Sequence, residues 1–322
     1  MNLDQMYEMM EKSKNEIISK SILTTYHKLN KSNYKKVLCS ISGGSDSDIV
    51  LDIVSKCDNK KIVDYVFFDT GLEYNATKKH IKELELKYDI SIEVIRPKTP
   101  IPLACKKQGQ PFISKHVSEM ISRLQKHEFK WEDEEYDVLI KKYPRCKSAI
   151  EWWCNKKPSP SHNINQNKLL KEFLIQNNPS FSISQKCCKY AKKDVLKLKL
   201  KEGYDLDISG IRKAEGGARK TAYKSCFDSR EDIDRYRPIF WYNNRDKEDY
   251  IKTFNIENSD CYKLYGLKRT GCCGCPFGRN YEYELNVLEK YEPKLYKGVI
   301  NIFNNSYEFT NKYKNFKEGL DG

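Results

Sequence analysis

Val37-Leu38-Cys39-Ser40-Ile41-Ser42-Gly43-Gly44-Ser45-Asp46-Ser47 is the stretch on which the fold turns. Five residues of mostly apolar character suit a buried parallel strand. They run into a Ser/Gly turn, and a helical apolar period then begins at Ile49, Val50, Ile53 and Val54. Between a strand and a helix, the glycines let backbone N–H groups approach an anion closely. The helix start adds free donors and the positive end of its dipole. Ser42 and Ser47 supply hydroxyl donors, so the loop reads as a phosphate cradle. Asp46 would repel phosphate by itself and is assigned to Mg²⁺ or to orienting the loop; its replacement, or that of Ser47, is expected to end nucleotide turnover with the fold intact. The competing reading is a plain turn whose Asp or Ser caps the helix.

Outward from the loop the strand–helix alternation continues. A second strand runs from Ile62 to Phe68 and stops at Asp69-Thr70-Gly71; a helix covers about 74–88, a third strand about 91–95, and a further strand near 205–210 ends at Gly210. Such repetition implies right-handed crossovers and an α/β fold: a parallel twisted sheet with flanking helices. Ligands of such sheets bind at the carboxyl ends of the strands, so Asp69, Thr70 and Gly71 are expected at the same crevice. One helix is expected over 3–30. Prolines punctuate 97–180, which reads as an insertion with helices at 114–128, 134–141 and 166–176; a helix over 185–200 opens with Cys187-Cys188. From about 236 short helices and Cys/Gly turns suggest a small C-terminal lobe. The expected division is a helical segment at 1–35, a nucleotide-binding domain at 36–235 and a lobe at 236–322.

The charged residues are well mixed, so disorder is not expected. A net charge of +13 suits polyanionic partners, DNA or RNA, and equally a lysine-rich solvated surface. No apolar run approaches the roughly 20 residues of a membrane span, and the N-terminus lacks an apolar signal core, so a cytoplasmic protein is expected. Twelve cysteines in a reducing compartment point to metal or redox chemistry. Cys187 and Cys188 are adjacent, and Cys272 and Cys275 form a C-x-x-C roughly eighty residues later. Four thiolates suit zinc or an iron–sulfur cluster, although adjacent ligands are unlike the two spaced pairs of a zinc ribbon. Cys273 is an alternative to Cys272. The remaining cysteines read as small core residues, and His116 and Ser114 as structural, with Lys115 in reach of a phosphate.

Together, the Ser42–Ser47 loop, Asp69-Thr70-Gly71 and the Cys-Cys…Cys-x-x-C pattern resemble the phosphoadenosine/adenosine phosphosulfate reductase superfamily, of the PP-loop ATP pyrophosphatase type. Cys187-Cys188 followed by Lys192, Gly210-Ile211-Arg212 followed by Arg219, Arg237-Pro238-Ile239, Leu264-Tyr265-Gly266 and Arg269-Thr270-Gly271-Cys272 are similar to that family's later segments. The resemblance implies an adenine nucleotide alpha-hydrolase-like fold with a Cys-containing C-terminal lobe. It implies ATP and Mg²⁺ on the loop, Gly210, Arg212 and Arg219 at the phosphates, Lys192 near cluster and nucleotide, and a [4Fe-4S] cluster on Cys187, Cys188, Cys272 and Cys275, clamping two lobes. Reductases of the family carry a catalytic cysteine in a C-terminal tail; here the last cysteine is Cys275. The pattern is closest to cluster-bearing sulfurtransferases such as those of DNA phosphorothioation. The expected function is therefore an adenylating sulfurtransferase acting on a nucleic acid or nucleotide, served by a sulfur donor such as a cysteine desulfurase. Two alternatives stand beside it: a phosphosulfate reductase using Cys105 or Cys154, and a non-catalytic nucleotide-binding subunit of a defence or mobile-element complex.

Overall fold

A computed structural model of the chain describes residues 1–216 and 221–319. Six strands form one sheet: β1 Val37–Ile41, β2 Val63–Phe68, β3 Ile92–Ile95, β4 Leu206–Ser209, β5 Phe227–Asp228 and β6 Asp234–Tyr236. Their order is β3-β2-β1-β4-β6-β5. Every pairing is parallel except β5 with β6, which is antiparallel at the edge. The expected α/β class, a mostly parallel sheet with flanking helices, is the one observed. β1 is central, with Ser40 in register with Ser209 of β4. The direction in which strands are added reverses at this parallel pair: β2 and β3 extend to one side of β1, β4 and β6 to the other. The carboxyl ends of β1 and β4 thus form a topological switch point, where open α/β sheets hold ligands.

The chain divides into two compact units. The first comprises Met1–Asp69, Glu73–Pro97 and Asp194–Gly271 and contains the whole sheet. Its core joins Val37, Cys39 and Ile41 of β1 to Ile49, Val50, Ile53 and Val54 of the following helix, Ser45–Cys57. Complete burial of each such aliphatic side chain contributes about 1.5–3 kcal/mol. The second unit comprises Thr70–Leu72, Lys98–Lys193 and Cys272–Gly322. It is helical, around an aromatic core that includes Phe112, Phe129, Trp152, Trp153 and Phe173.

Several expectations are corrected. The expected 3–30 helix is two, Leu3–Ser13 and Glu16–Asn30. Lys14 turns left-handed between them, and the Asn15 side chain accepts from the N–H groups of Ile17 and Ile18, a capping signal that the apolar period masked. The expected 185–200 helix is α over Lys186–Cys188, π over Lys189–Lys193 and α again over Asp194–Leu200. The C-terminal part is not only short helices, since Pro293–Glu318 is one helix of 26 residues. Nor do residues 236–322 hold together as one lobe: 236–271 belong with the sheet and 272–322 with the 98–193 segment. Among the described residues, no helix is long and apolar enough to cross a membrane.

Candidate functional site

β1 delivers the chain into the Ser42–Ser47 loop at the switch point. Gly44 is the N-cap of the Ser45–Cys57 helix and provides no side-chain cap. The capping interpretation of the loop is therefore not what the structure adopts. Ser47 is buried, and its Oγ accepts from the Ser42 N–H at 2.8 Å, which closes the loop on itself. The Ser45 N–H donates to the Tyr262 phenol at 3.2 Å, and that hydroxyl lies 3.3 Å from Thr270 Oγ1. Gly210, just past β4, lies against the loop: a Cβ there would be 3.2 Å from the Asp46 carbonyl oxygen and 3.3 Å from Ser47 Cα. Any side chain at Gly210 would press on the backbone of the helix start at Asp46 and Ser47, which is the physical reason for glycine at this position.

Asp46 has two cationic partners. Arg212 Nε donates to Oδ2 at 2.9 Å, and Lys247 Nζ is 2.8 Å from Oδ1. Arg212 is held further by Asn244 Oδ1 at 3.2 Å and the Tyr242 carbonyl at 3.5 Å, and only 7% of its side chain is exposed. One turn into the helix, fully buried Asp48 meets His80 Nε2 at 2.9 Å. Burial raises the Asp48 carboxyl despite the His80 contact. Burial disfavours the His80 cation, but the Asp48 carboxylate outweighs this and the imidazole is raised. Asp69, at the end of β2, is buried and paired with Lys78 at 3.2 Å and Arg96 at 3.5 Å.

In the second unit a set of thiols gathers. Cys187 interacts with Cys105 and Cys188, Cys188 with Lys115 and Lys192, and Cys275 with Cys272 and Cys188. A hydrogen bond with Cys105 raises Cys187, a hydrogen bond with Cys187 raises Cys188, and burial pushes Cys275 up to about 12. Thr70 Oγ1 lies 3.7 Å from Cys272 Sγ, and the Cys273 N–H donates to the Leu72 carbonyl at 2.8 Å. Cys273 itself is fully buried. Among the described residues, however, no group of three or more His, Cys, Asp or Glu side chains is set to hold a metal ion.

The structure thus brings Ser42, Gly43, Gly44, Asp46, Ser47, Gly210 and Arg212 together in the first unit, with Asp69 in the same unit. It gathers Cys187, Cys188, Cys272, Cys275 and Lys192 in the second, to which Thr70 and Gly71 also belong. Both cysteine pairs lie in one unit, which corrects the expectation that they come from different lobes. Arg219 lies outside the described residues. Lys115 follows its Ser114 cap, whose Oγ accepts from the Val117 N–H at 3.2 Å, and His116 is tied to the His162 carbonyl. Lys247 and Tyr262 are not among the residues expected from the sequence, and Cys105, expected as a core residue or as the nucleophile of the reductase alternative, lies beside Cys187. Lys247 and Tyr262 carry no motif, and their roles depend on long-range contacts.

Residues 36–153 match the family profile described as phosphoadenosine phosphosulfate reductase domain. The superfamily that the loop and the cysteine pairs resemble is the one this profile describes. Uncharacterized protein MJ0066 of Methanocaldococcus jannaschii is 25% identical over 331 residues, covering 99% of this chain and 52% of that protein. MJ0973 of the same organism is 24% identical, covering 88% and 51% respectively. The chain thus spans about half the length of the curated relatives it matches. Among solved structures it is similar to phosphoadenylyl-sulfate (PAPS) reductase from Candida auris, with a TM-score of 0.42, 14% identity, and coverage of 84% of this chain and 96% of that one. It is similar also to the U34-tRNA thiolase NcsA from Methanococcus maripaludis with its [4Fe-4S] cluster, with a TM-score of 0.39, 12% identity, and coverage of 95% and 81%.

Proposed function

We propose that this chain, which carries a phosphoadenosine phosphosulfate reductase domain over residues 36–153, is an ATP-dependent adenylating sulfurtransferase of the PP-loop type. The observation that carries the reading is the Ser42–Ser47 loop: a helix start with no side-chain cap from Gly44, at the switch point of the sheet, bordered by Arg212 and Lys247. Loop amides and the Ser42 hydroxyl would hold phosphate oxygens, and Arg212 would neutralise their charge with Arg219. Asp46 would orient the loop through its cations and contribute to Mg²⁺ binding, and Asp69, in the same unit, would add to the nucleotide contacts. The acceptor oxygen would attack the α-phosphorus, releasing pyrophosphate and leaving the acceptor adenylated; a sulfur nucleophile would then displace AMP. The acceptor is a nucleic acid or nucleotide, and the sulfur comes from a donor such as a cysteine desulfurase.

The donor chemistry of Cys187, Cys188, Cys272 and Cys275 suits a thiolate-held [4Fe-4S] cluster: four soft ligands in one unit, Cys187 adjacent to Cys188 and Cys275 within electrostatic reach of Cys187, Cys188 and Cys272. When bound, the cluster would carry or position sulfur. Lys192 and Lys115 beside Cys188 would stabilise the negative charge of its ligand shell. Anaerobically purified protein should contain about four irons and four sulfides. Cys188→Ser should lose iron and stability together, because ligation contributes to folding. Cys273→Ala should keep its iron. Stoichiometric zinc without iron would overturn the cluster.

The reaction is tested by supplying Mg²⁺-ATP with a nucleic-acid acceptor, or a phosphosulfate with a dithiol reductant. Release of pyrophosphate from ATP is the expected result. Sulfite from the phosphosulfate would identify a reductase instead, and nucleotide binding without either product would identify a binding subunit. Affinity for DNA or tRNA should fall steeply between about 50 and 200 mM salt as phosphate contacts release counterions. No binding at about 50 mM salt would move the acceptor to a small molecule.

A further inference from the structure

Lys247 is the fourth residue of the helix Asn244–Phe254, where a cation opposes the positive end of the dipole. Nothing local on that helix favours it there. Its Nζ instead reaches across to the loop and lies 2.8 Å from Asp46 Oδ1, with 20% of its side chain exposed. Asp46 is already neutralised by Arg212 through its other oxygen, at 2.9 Å. Asp48, the next carboxylate within range of Lys247, is engaged by His80. Two cations therefore share the single carboxylate of Asp46 at a helix start that is itself electropositive, an excess of positive groups over that carboxylate.

Such an excess is unfavourable in the empty site and is offset when a polyanion enters. We propose that Lys247 is a second phosphate-binding cation, held by Asp46 until nucleotide arrives and then shared with the phosphate chain. Arg212 is anchored by Tyr242 and Asn244 and can serve as the fixed donor. Lys247, a point charge on a flexible stem, is suited to move. This inference rests on the nucleotide reading above and adds a residue outside the superfamily motifs quoted earlier.

The test measures binding of ATP, AMP and adenosine to the whole protein by calorimetry, with Lys247→Met and Lys247→Arg. Loss of a charge-assisted contact should weaken ATP roughly 10- to 100-fold in Lys247→Met, weaken AMP less and leave adenosine within about twofold. Lys247→Arg should restore most of the ATP affinity. Equal losses for all three ligands would mean that Lys247 only braces the fold, and an unchanged ATP affinity would mean that it has no role; either overturns the proposal. If the unaltered protein binds no ATP, the nucleotide reading falls and takes this inference with it, whereas failure in the variants alone leaves that reading standing.

Discussion

Asp46→Ala should abolish nucleotide turnover and also lower the melting temperature. The sequence alone suggests a functional substitution that spares the fold. The ion pairs change that expectation. Removing the carboxylate leaves Arg212, 7% exposed, and Lys247 facing each other without their shared counter-charge. Breaking a buried pair from one side costs about 3–5 kcal/mol. In a unit of this size that corresponds to a loss of roughly 10 °C in thermal denaturation. Combining Asp46→Ala with Arg212→Met should recover much of the stability but none of the turnover, since the uncompensated guanidinium is gone while the phosphate contact is also lost. A single Asp46→Ala variant that melts like the parent, or turns ATP over like it, would be inconsistent with this account of the loop.

Gly109→Ala should have a comparably large effect on the second unit. Gly109 follows the helix Ile101–Gln108 with φ +104° and ψ 164°, a conformation open to glycine and strained for alanine. An added Cβ would lie 2.3 Å from the Ser182 carbonyl oxygen and 2.6 Å from its carbon. The two segments cannot simply separate. Gln110 N–H donates to that same Ser182 carbonyl at 2.8 Å, and Ser184 N–H donates to the Gln110 carbonyl at 2.8 Å. Ser184 in turn leads into Lys186–Cys188. Backbone strain and overpacking together should cost about 3 kcal/mol or more. Measured by thermal melting, the variant should unfold at a clearly lower temperature than the parent. Unchanged melting would refute the strain.

What the sequence revealed and what it hid follow from the range of the interactions involved. β1 was legible to the residue, because a buried parallel strand is a bare apolar run and its glycine turn marks the end. The loop was legible because its chemistry is contiguous. Asn15 was not, since a helical apolar period continues across the break and only the cap bonds reveal it. The π segment Lys189–Lys193 was hidden because one extra residue per turn leaves composition unchanged. Lys247 was hidden for a different reason. It is 201 positions from Asp46, and no local pattern marks it. The cysteine pairs were recognisable as a set, but their placement in one unit depends on Thr70–Leu72 and 272–322 returning to the 98–193 segment, which no local signal encodes.

The discontinuity of that second unit bears on how the protein is made. Synthesis proceeds from residue 1 upward, so Cys187 and Cys188 leave the ribosome ahead of the last stretch of the first unit, Asp194–Gly271, and well ahead of Cys272 and Cys275. At about 5–20 residues per second, the delay is on the order of ten seconds. For that interval the nascent chain presents half of a thiol set, able to meet stray oxidant before the other half exists. The thiol set is thereby completed only once Cys275 has been made, and its integrity becomes sensitive to elongation speed over residues 189–271.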